Sequence, residues 1–272
     1  MIGVSRISPA RAIDTGVMRA VGRRTHPFAP VALSLVTAMA VVAVACASAA
    51  NPRVVLYGDS LGQEASGPLA EKLEDHAEFE SAAVGGLALC DSLLRIRSDL
   101  QRGRTPTYAL IQFSGNNISR CMQQADGRPL EGDELAAKYA TDTETAVRLL
   151  RSAGVEVYLI GSPSAALTSG AEAVNAGFRR VARQWSDDGG VHYVDAGVAV
   201  SPQDTYTPTL PCLKFETSEF GCEEGRIPVR APDGNHFCPP GIEGSGTPEC
   251  PVWSSGAYRF AEAMAEPVLS NL

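Results

Sequence analysis

Residues 54–63 read VVLYGDSLGQ. Four apolar residues run into Gly58, Asp59 and Ser60, and a helical pattern begins at once. A serine that ends a buried strand and opens a helix faces the free N–H groups and positive dipole end of that helix. That residue type in that place suits a nucleophile whose developing oxyanion is met by backbone N–H. The same residues also suit a plain helix N-cap, where aspartate and serine are favoured. A nucleophilic serine needs a base.

The chain has four histidines. His26 lies in the basic leader. His76 ends an amphipathic segment, a solvated place. His192 sits inside the apolar run VHYVDA. His236 lies in APDGNHFCP, just before the last helical pattern, with Asp233 three residues upstream. A turn over DGNH lets the Asp233 carboxylate reach the ring and fix its tautomer, the orienting role of an acid–base relay. Read alone, it is an ordinary Asp-Gly turn. Two further stretches end apolar runs with chemistry-bearing residues. IQFSGNNIS (111–119) offers Asn116 and Asn117, whose amides can donate to an oxyanion. VGGLALCD (84–91) offers Gly85 and Gly86, where a backbone N–H can approach a ligand closely. Each also reads as a simple turn.

Positioning these residues requires a regular frame. Apolar runs at 53–58, 79–86, 107–113, 155–161 and 191–196 alternate with helical patterns that follow Ser60 and cover 91–102, 133–154, 171–188 and 253–269. Asp133 can cap the third helix and Gly154 can end it. Such alternation implies a parallel sheet covered on both faces. The expectation is an α/β fold, a three-layer α/β/α sandwich with about five parallel strands. Residues 199–252 break the rhythm, are rich in Pro and Gly, and hold four cysteines. They read as an ordered, stapled loop.

The first fifty residues read differently. Arg6, Arg11, Arg19, Arg23 and Arg24 face only Asp14, an uncharged run extends from Phe28 to Cys46, and small residues follow. This is a secretory signal pattern, with an uncleaved anchor as the competing reading. Cleavage after Ala49 would free the protein; cleavage before Cys46, in AVAC, would leave a lipid-anchored one. The expected division is 1–50 as signal or anchor and 51–272 as one domain. Six cysteines remain beyond Cys46, an even set that suits an exported chain with disulfides. Loss of five arginines and one aspartate takes the net charge from −8 to −12. That charge argues against nucleic acid or anionic headgroups as partners. No metal-ligand cluster, P-loop or dinucleotide fingerprint appears, so no cofactor and no metal are expected.

Taken together, GDSL near the start of the domain, Gly after the second strand, Gly/Asn after the third and DGNH near the end resemble the GDSL, or SGNH, hydrolases. The resemblance covers essentially the whole of 51–272 in order and spacing. It implies a flavodoxin-like fold and ester hydrolysis. It also implies Ser60 as nucleophile and first oxyanion donor, Gly86 (or Gly85) as second, Asn116 (or Asn117) as side-chain donor, and Asp233 with His236 completing a triad. The third block departs from the usual G-x-N-D in one of two registers: Ser114 stands for the glycine and Asn117 for the aspartate, or Gly115 and Asn117 keep the glycine and the asparagine and Ile118 replaces the aspartate. The expected pairs of cysteines are Cys90–Cys121, between the two oxyanion elements, and Cys212–Cys222 and Cys238–Cys250 in the late loop. The leading expectation is an exported serine esterase acting on acylated carbohydrate or lipid. An O-acyltransferase with the same triad and a non-catalytic surface lipoprotein are the alternatives.

Overall fold

The computed structural model describes residues 51–167, 170–239 and 243–272. Residues 1–50, on which the signal or anchor expectation with Cys46 and Ala49 falls, lie outside the described residues. Five strands form one parallel sheet: β1 Arg53–Gly58, β2 Glu78–Ser81, β3 Tyr108–Gln112, β4 Glu156–Ile160 and β5 Val191–Val194, in the order β2-β1-β3-β4-β5. Strand order therefore reverses between β1 and β3, where ligands bind in open α/β sheets.

Alternation along β1 explains the layers. Val54 and Leu56 pack with Leu61 and Leu69 of α1 (Ser60–Leu73) and with Phe260 and Met264 of α5 (Ser255–Leu269). Val55 and Tyr57 point the other way, onto Ile96 of α2 (Leu89–Gln101), Val147 of α3 (Gly132–Ser152) and Phe178 of α4 (Ala171–Gln184). Successive strand side chains leave opposite faces, so each interior strand feeds both cores. The arrangement is the three-layer α/β/α sandwich that the alternating pattern implied.

Local departures have simple causes. β2 stops at Ser81, short of the glycines, although the Ala82 and Val84 N–H groups still donate to the carbonyls of Leu56 and Gly58 beyond the strand proper. α3 is capped at Glu131 rather than Asp133, which sits in its first turn where an acid still complements the helix dipole. Pro267 lies inside α5 and does not shorten it. The late segment contains two antiparallel ribbons, β6 Thr209–Pro211 with β7 Arg226–Pro228, and β8 Glu243–Thr247 with β9 Cys250–Val252. Disulfides join Cys90 to Cys121, Cys212 to Cys222 and Cys238 to Cys250, the three expected pairings.

Candidate active site

β1 ends at the switch point and hands the chain to α1. Asp59 is the N-cap: its Oδ1 accepts the Leu61 N–H at 3.1 Å. Ser60 is thus the first helical residue, and its hydroxyl is free for other work. His236 Nε2 lies 3.0 Å from Ser60 Oγ, and His236 Nδ1 lies 2.6 Å from Asp233 Oδ2. With the carboxylate accepting at Nδ1, Nε2 is left to accept the Ser60 proton.

The DGNH turn is built to hold that geometry. Asp233 Oδ1 accepts the N–H groups of Asn235 at 2.9 Å and His236 at 3.0 Å. The Ala231 N–H donates to the His236 carbonyl at 2.8 Å. Gly234 has φ +73° and its backbone presses on Ala166, so a side chain there would meet the Ala166 methyl at 2.4 Å. Arg230 sits buried behind the turn, donating to the carbonyls of Asn235 at 3.2 Å and Ser164 at 2.9 Å and to Ser201 Oγ at 3.0 Å. Burial pushes its guanidinium down to about 10. Burial alone would lower the His236 ring. The Asp233 hydrogen bond and the charges of Glu64, Asp233 and Asp59 outweigh it and raise the ring above its ordinary value. Burial opposes ionisation of Asp233, yet the His236 ring and the two turn N–H groups bring its carboxyl down to about 2.

The third turn is tied to the first through Asp59. This wholly buried carboxylate accepts both the N–H and the hydroxyl of Ser114 at 2.6 Å, and the Asn116 amide at 3.3 Å. Burial raises its carboxyl, and the Ser114 and Leu61 donors pull it back. Ser114 therefore does what a glycine in that place could not: it gives Asp59 a hydroxyl donor. Asn116 Nδ2 also donates to the Leu87 carbonyl at 3.2 Å, so its amide stands between the first and second turns. Asn117 Nδ2 turns away to the Leu130 carbonyl at 3.0 Å. The two glycines separate as well. The Gly85 N–H is taken by Gln63 Oε1 at 2.7 Å, whereas the N–H groups of Gly86 (φ +78°) and Ser60 have no acceptor among the described residues. Cys90–Cys121 clamps the segments behind Gly86 and Asn116 together.

A cavity of about 630 Å³ opens beside Asp233 and Asn235. Its wall carries Asn116, Asn117, Asn235 and the carboxylates Asp233 and Glu131, with Leu135 and Leu167 among the apolar residues. No Lys or Arg is among the described lining residues. Gly115 and Gly170 let two loops cross at its floor: a side chain on Gly115 would meet Gly170 Cα at 2.4 Å. The other two described histidines are elsewhere. His76 is exposed, and His192 pairs with Glu156 at 2.9 Å and stacks on Tyr158. Cys90, Asp91 and Cys121 cluster closely enough to suggest a metal site, but both sulfurs are spent in the disulfide.

The N-cap reading of the first stretch holds for Asp59, but sequence reasoning missed the bonds that join Asp59 to Ser114, and it missed Arg230 and Glu64. The signal for Glu64 was present, since it lies four residues after Ser60 on a helix and shares its face. Arg230 had none, because its partners are carbonyls brought in from Ser164 and Asn235.

This sheet order, with serine at the switch point and a histidine–aspartate turn after the last strand of the parallel sheet, is the SGNH hydrolase fold. Solved structures agree. A protein of the G-D-S-L family from Desulfitobacterium hafniense DCB-2 superposes with a TM-score of 0.50 at 12% identity, covering 79% of this chain and 99% of that one. LAE5, an alpha/beta hydrolase enzyme from the metagenome of Lake Arreo, Spain, gives 0.51 at 16% identity, covering 80% of this chain and 94% of the other. Among curated protein sequences none matches. The chain belongs to the family described as "Protein of unknown function (DUF459)", whose profile matches residues 53–244.

Proposed function

We propose that the protein is a serine esterase that works through an acyl-enzyme on Ser60. The observation that carries this reading is the unbroken relay from Ser60 Oγ to His236 Nε2 at 3.0 Å and from His236 Nδ1 to Asp233 at 2.6 Å. His236 takes the Ser60 proton as Oγ attacks the ester carbonyl, and the π electrons move onto the carbonyl oxygen. The N–H groups of Ser60 and Gly86 receive that oxygen, and the Asn116 amide joins them by releasing one of its long bonds, to Asp59 at 3.3 Å or to the Leu87 carbonyl at 3.2 Å. Collapse expels the alcohol, protonated by His236, and water repeats the sequence to release the acid.

The acidic, amide-lined cavity supports an alcohol portion that is neutral or cationic and rich in hydroxyls, an acylated carbohydrate ahead of a long-chain lipid. Three disulfides support an exported protein, because such bonds persist in oxidising compartments. Attachment at Cys46 is the membrane-bound form of the same reading.

The test is mass spectrometry after exposure to a fluorophosphonate, beside Ser60→Ala and heat-denatured controls. A single adduct on Ser60, absent from both controls, is expected, together with hydrolysis of an acetylated neutral oligosaccharide. No adduct on folded protein overturns the reading in favour of a binding protein. Acyl transfer to an added sugar in preference to water would reassign it as an acyltransferase.

A further inference from the structure

Glu64 stands one helical turn beyond Ser60 on α1, so both side chains leave the same face of that helix. Its Oε2 accepts the N–H of Phe237, the residue after His236, at 2.6 Å. The helix that presents the serine therefore also grips the histidine segment, across 173 residues of chain. The turn is anchored on its other side by Ser254 Oγ, which donates to the Phe237 carbonyl at 2.5 Å. Phe237 is thus held at both ends of its peptide frame, and its ring is fully buried.

The two carboxylates near His236 are not equivalent. The Asp233 side chain is 52% exposed, so water and salt screen its charge. Glu64 is half-buried and forms no ion pair with Lys or Arg among the described residues. Its field on the ring passes through protein rather than solvent, where a charge acts more strongly.

We propose that Glu64 is a positioning residue for His236, holding its peptide against the serine helix and supplying a second negative charge that favours the imidazolium formed during attack. The kinetic half of this inference rests on the esterase reading. In the step concerned, the Ser60 proton moves to His236 Nε2 as the Oγ–carbon bond forms, and the positive ring is then favoured by the charges of both Asp233 and Glu64. The charged groups that bear on the ring are Asp233 in its own turn and Glu64 and Asp59 from α1 and its cap. Glu64 in turn feels His236, Asp233 and Asp59, and it acts on the buried Arg230. Burial raises the Glu64 carboxyl, while the Phe237 N–H and the nearby ring pull it back toward ionisation.

The test follows the His236 ring by NMR titration, assigned against His236→Asn, in wild type, Glu64→Gln and Glu64→Leu. Gln keeps an oxygen for the Phe237 N–H but removes the charge. The ring pKa is expected to fall by about one unit in Glu64→Gln, and the acid limb of kcat/KM to move to lower pH by the same amount. Glu64→Leu leaves the Phe237 N–H without its acceptor and is expected to lose at least about tenfold in kcat, a loss that Gln largely restores. An unchanged His236 titration in folded Glu64→Gln overturns the inference. If that variant does not fold, Glu64→Asp carries the test: drawing the carboxylate back from the Phe237 N–H and the ring is expected to lower the His236 titration, and an unchanged titration overturns the inference. Titration needs no turnover. A wild-type protein that ignores fluorophosphonate would sink the esterase reading while leaving this measurement decisive.

Discussion

Replacing Cys90 and Cys121 by alanine removes the clamp between the Gly86 and Asn116 segments. The bond closes a loop with a sequence separation of 31. In the chain-entropy treatment, a loop of that size restrains the unfolded ensemble by about 3.7 kcal/mol at 25 °C. For a domain of this length each kcal/mol corresponds to roughly 2–4 °C, so the melting temperature should fall by roughly 7–15 °C. The loss of rate should be smaller, because the clamp is not alone. The Asp91 carboxylate accepts the Ala88 N–H at 2.9 Å and the Ser119 hydroxyl, linking the same two segments without a covalent bond. With that link intact, the Gly86 N–H is expected to stay near its place and kcat to fall only about three- to tenfold. Thermal denaturation followed by circular dichroism, with hydrolysis measured well below the transition, separates the two effects. A melting temperature within about 3 °C of wild type would refute the entropic argument. A stable variant that lost all activity would refute the role given to Asp91.

Three further outcomes are expected. Asn116→Ala should lower kcat by about 10²–10³-fold with little change in KM, and steady-state kinetics would show it; Asn117→Ala, whose amide faces Leu130, should cost far less. Gly115→Ala should destabilise the fold by about 1–3 kcal/mol in urea denaturation, since φ +97° disfavours a side chain and the added methyl would meet Gly170. On pH, the raised His236 ring must be neutral to act as a base, so kcat/KM should fall as pH drops through a value above the ordinary histidine range. Asp233 stabilises the fold above its unfolded value near about 3.9, and that contribution is lost as pH falls through about 2, which acid titration of folding would reveal.

Much of this protein is written locally. Apolar runs of six to eight residues with helical patterns between them imply a parallel sheet covered on both faces, so the sandwich was legible from periodicity. GDSL and SGNN each end such a run, and a strand end is where an open α/β sheet exposes side chains to a ligand; DGNH lies in the late loop and was legible from its Asp–His spacing. The Cys90–Cys121 pairing was likewise readable once the strands carrying those segments were taken as neighbours. Choices between adjacent residues were not readable. Gly85 and Gly86 have the same chemistry, and only Gln63, arriving from α1, takes the first N–H and leaves the second. Asn116 and Asn117 are the same residue type, and only Asp59 and Leu87 on one side and Leu130 on the other separate them. Glu64 and Arg230 acquire their roles from Phe237, Asn235 and Ser164, groups from 5 to 173 residues away in the chain. Periodicity sets which face a side chain leaves, because that is a property of neighbouring dihedrals. Which hydrogen-bond partner it meets depends on loops brought together by folding, and that was decided only in three dimensions.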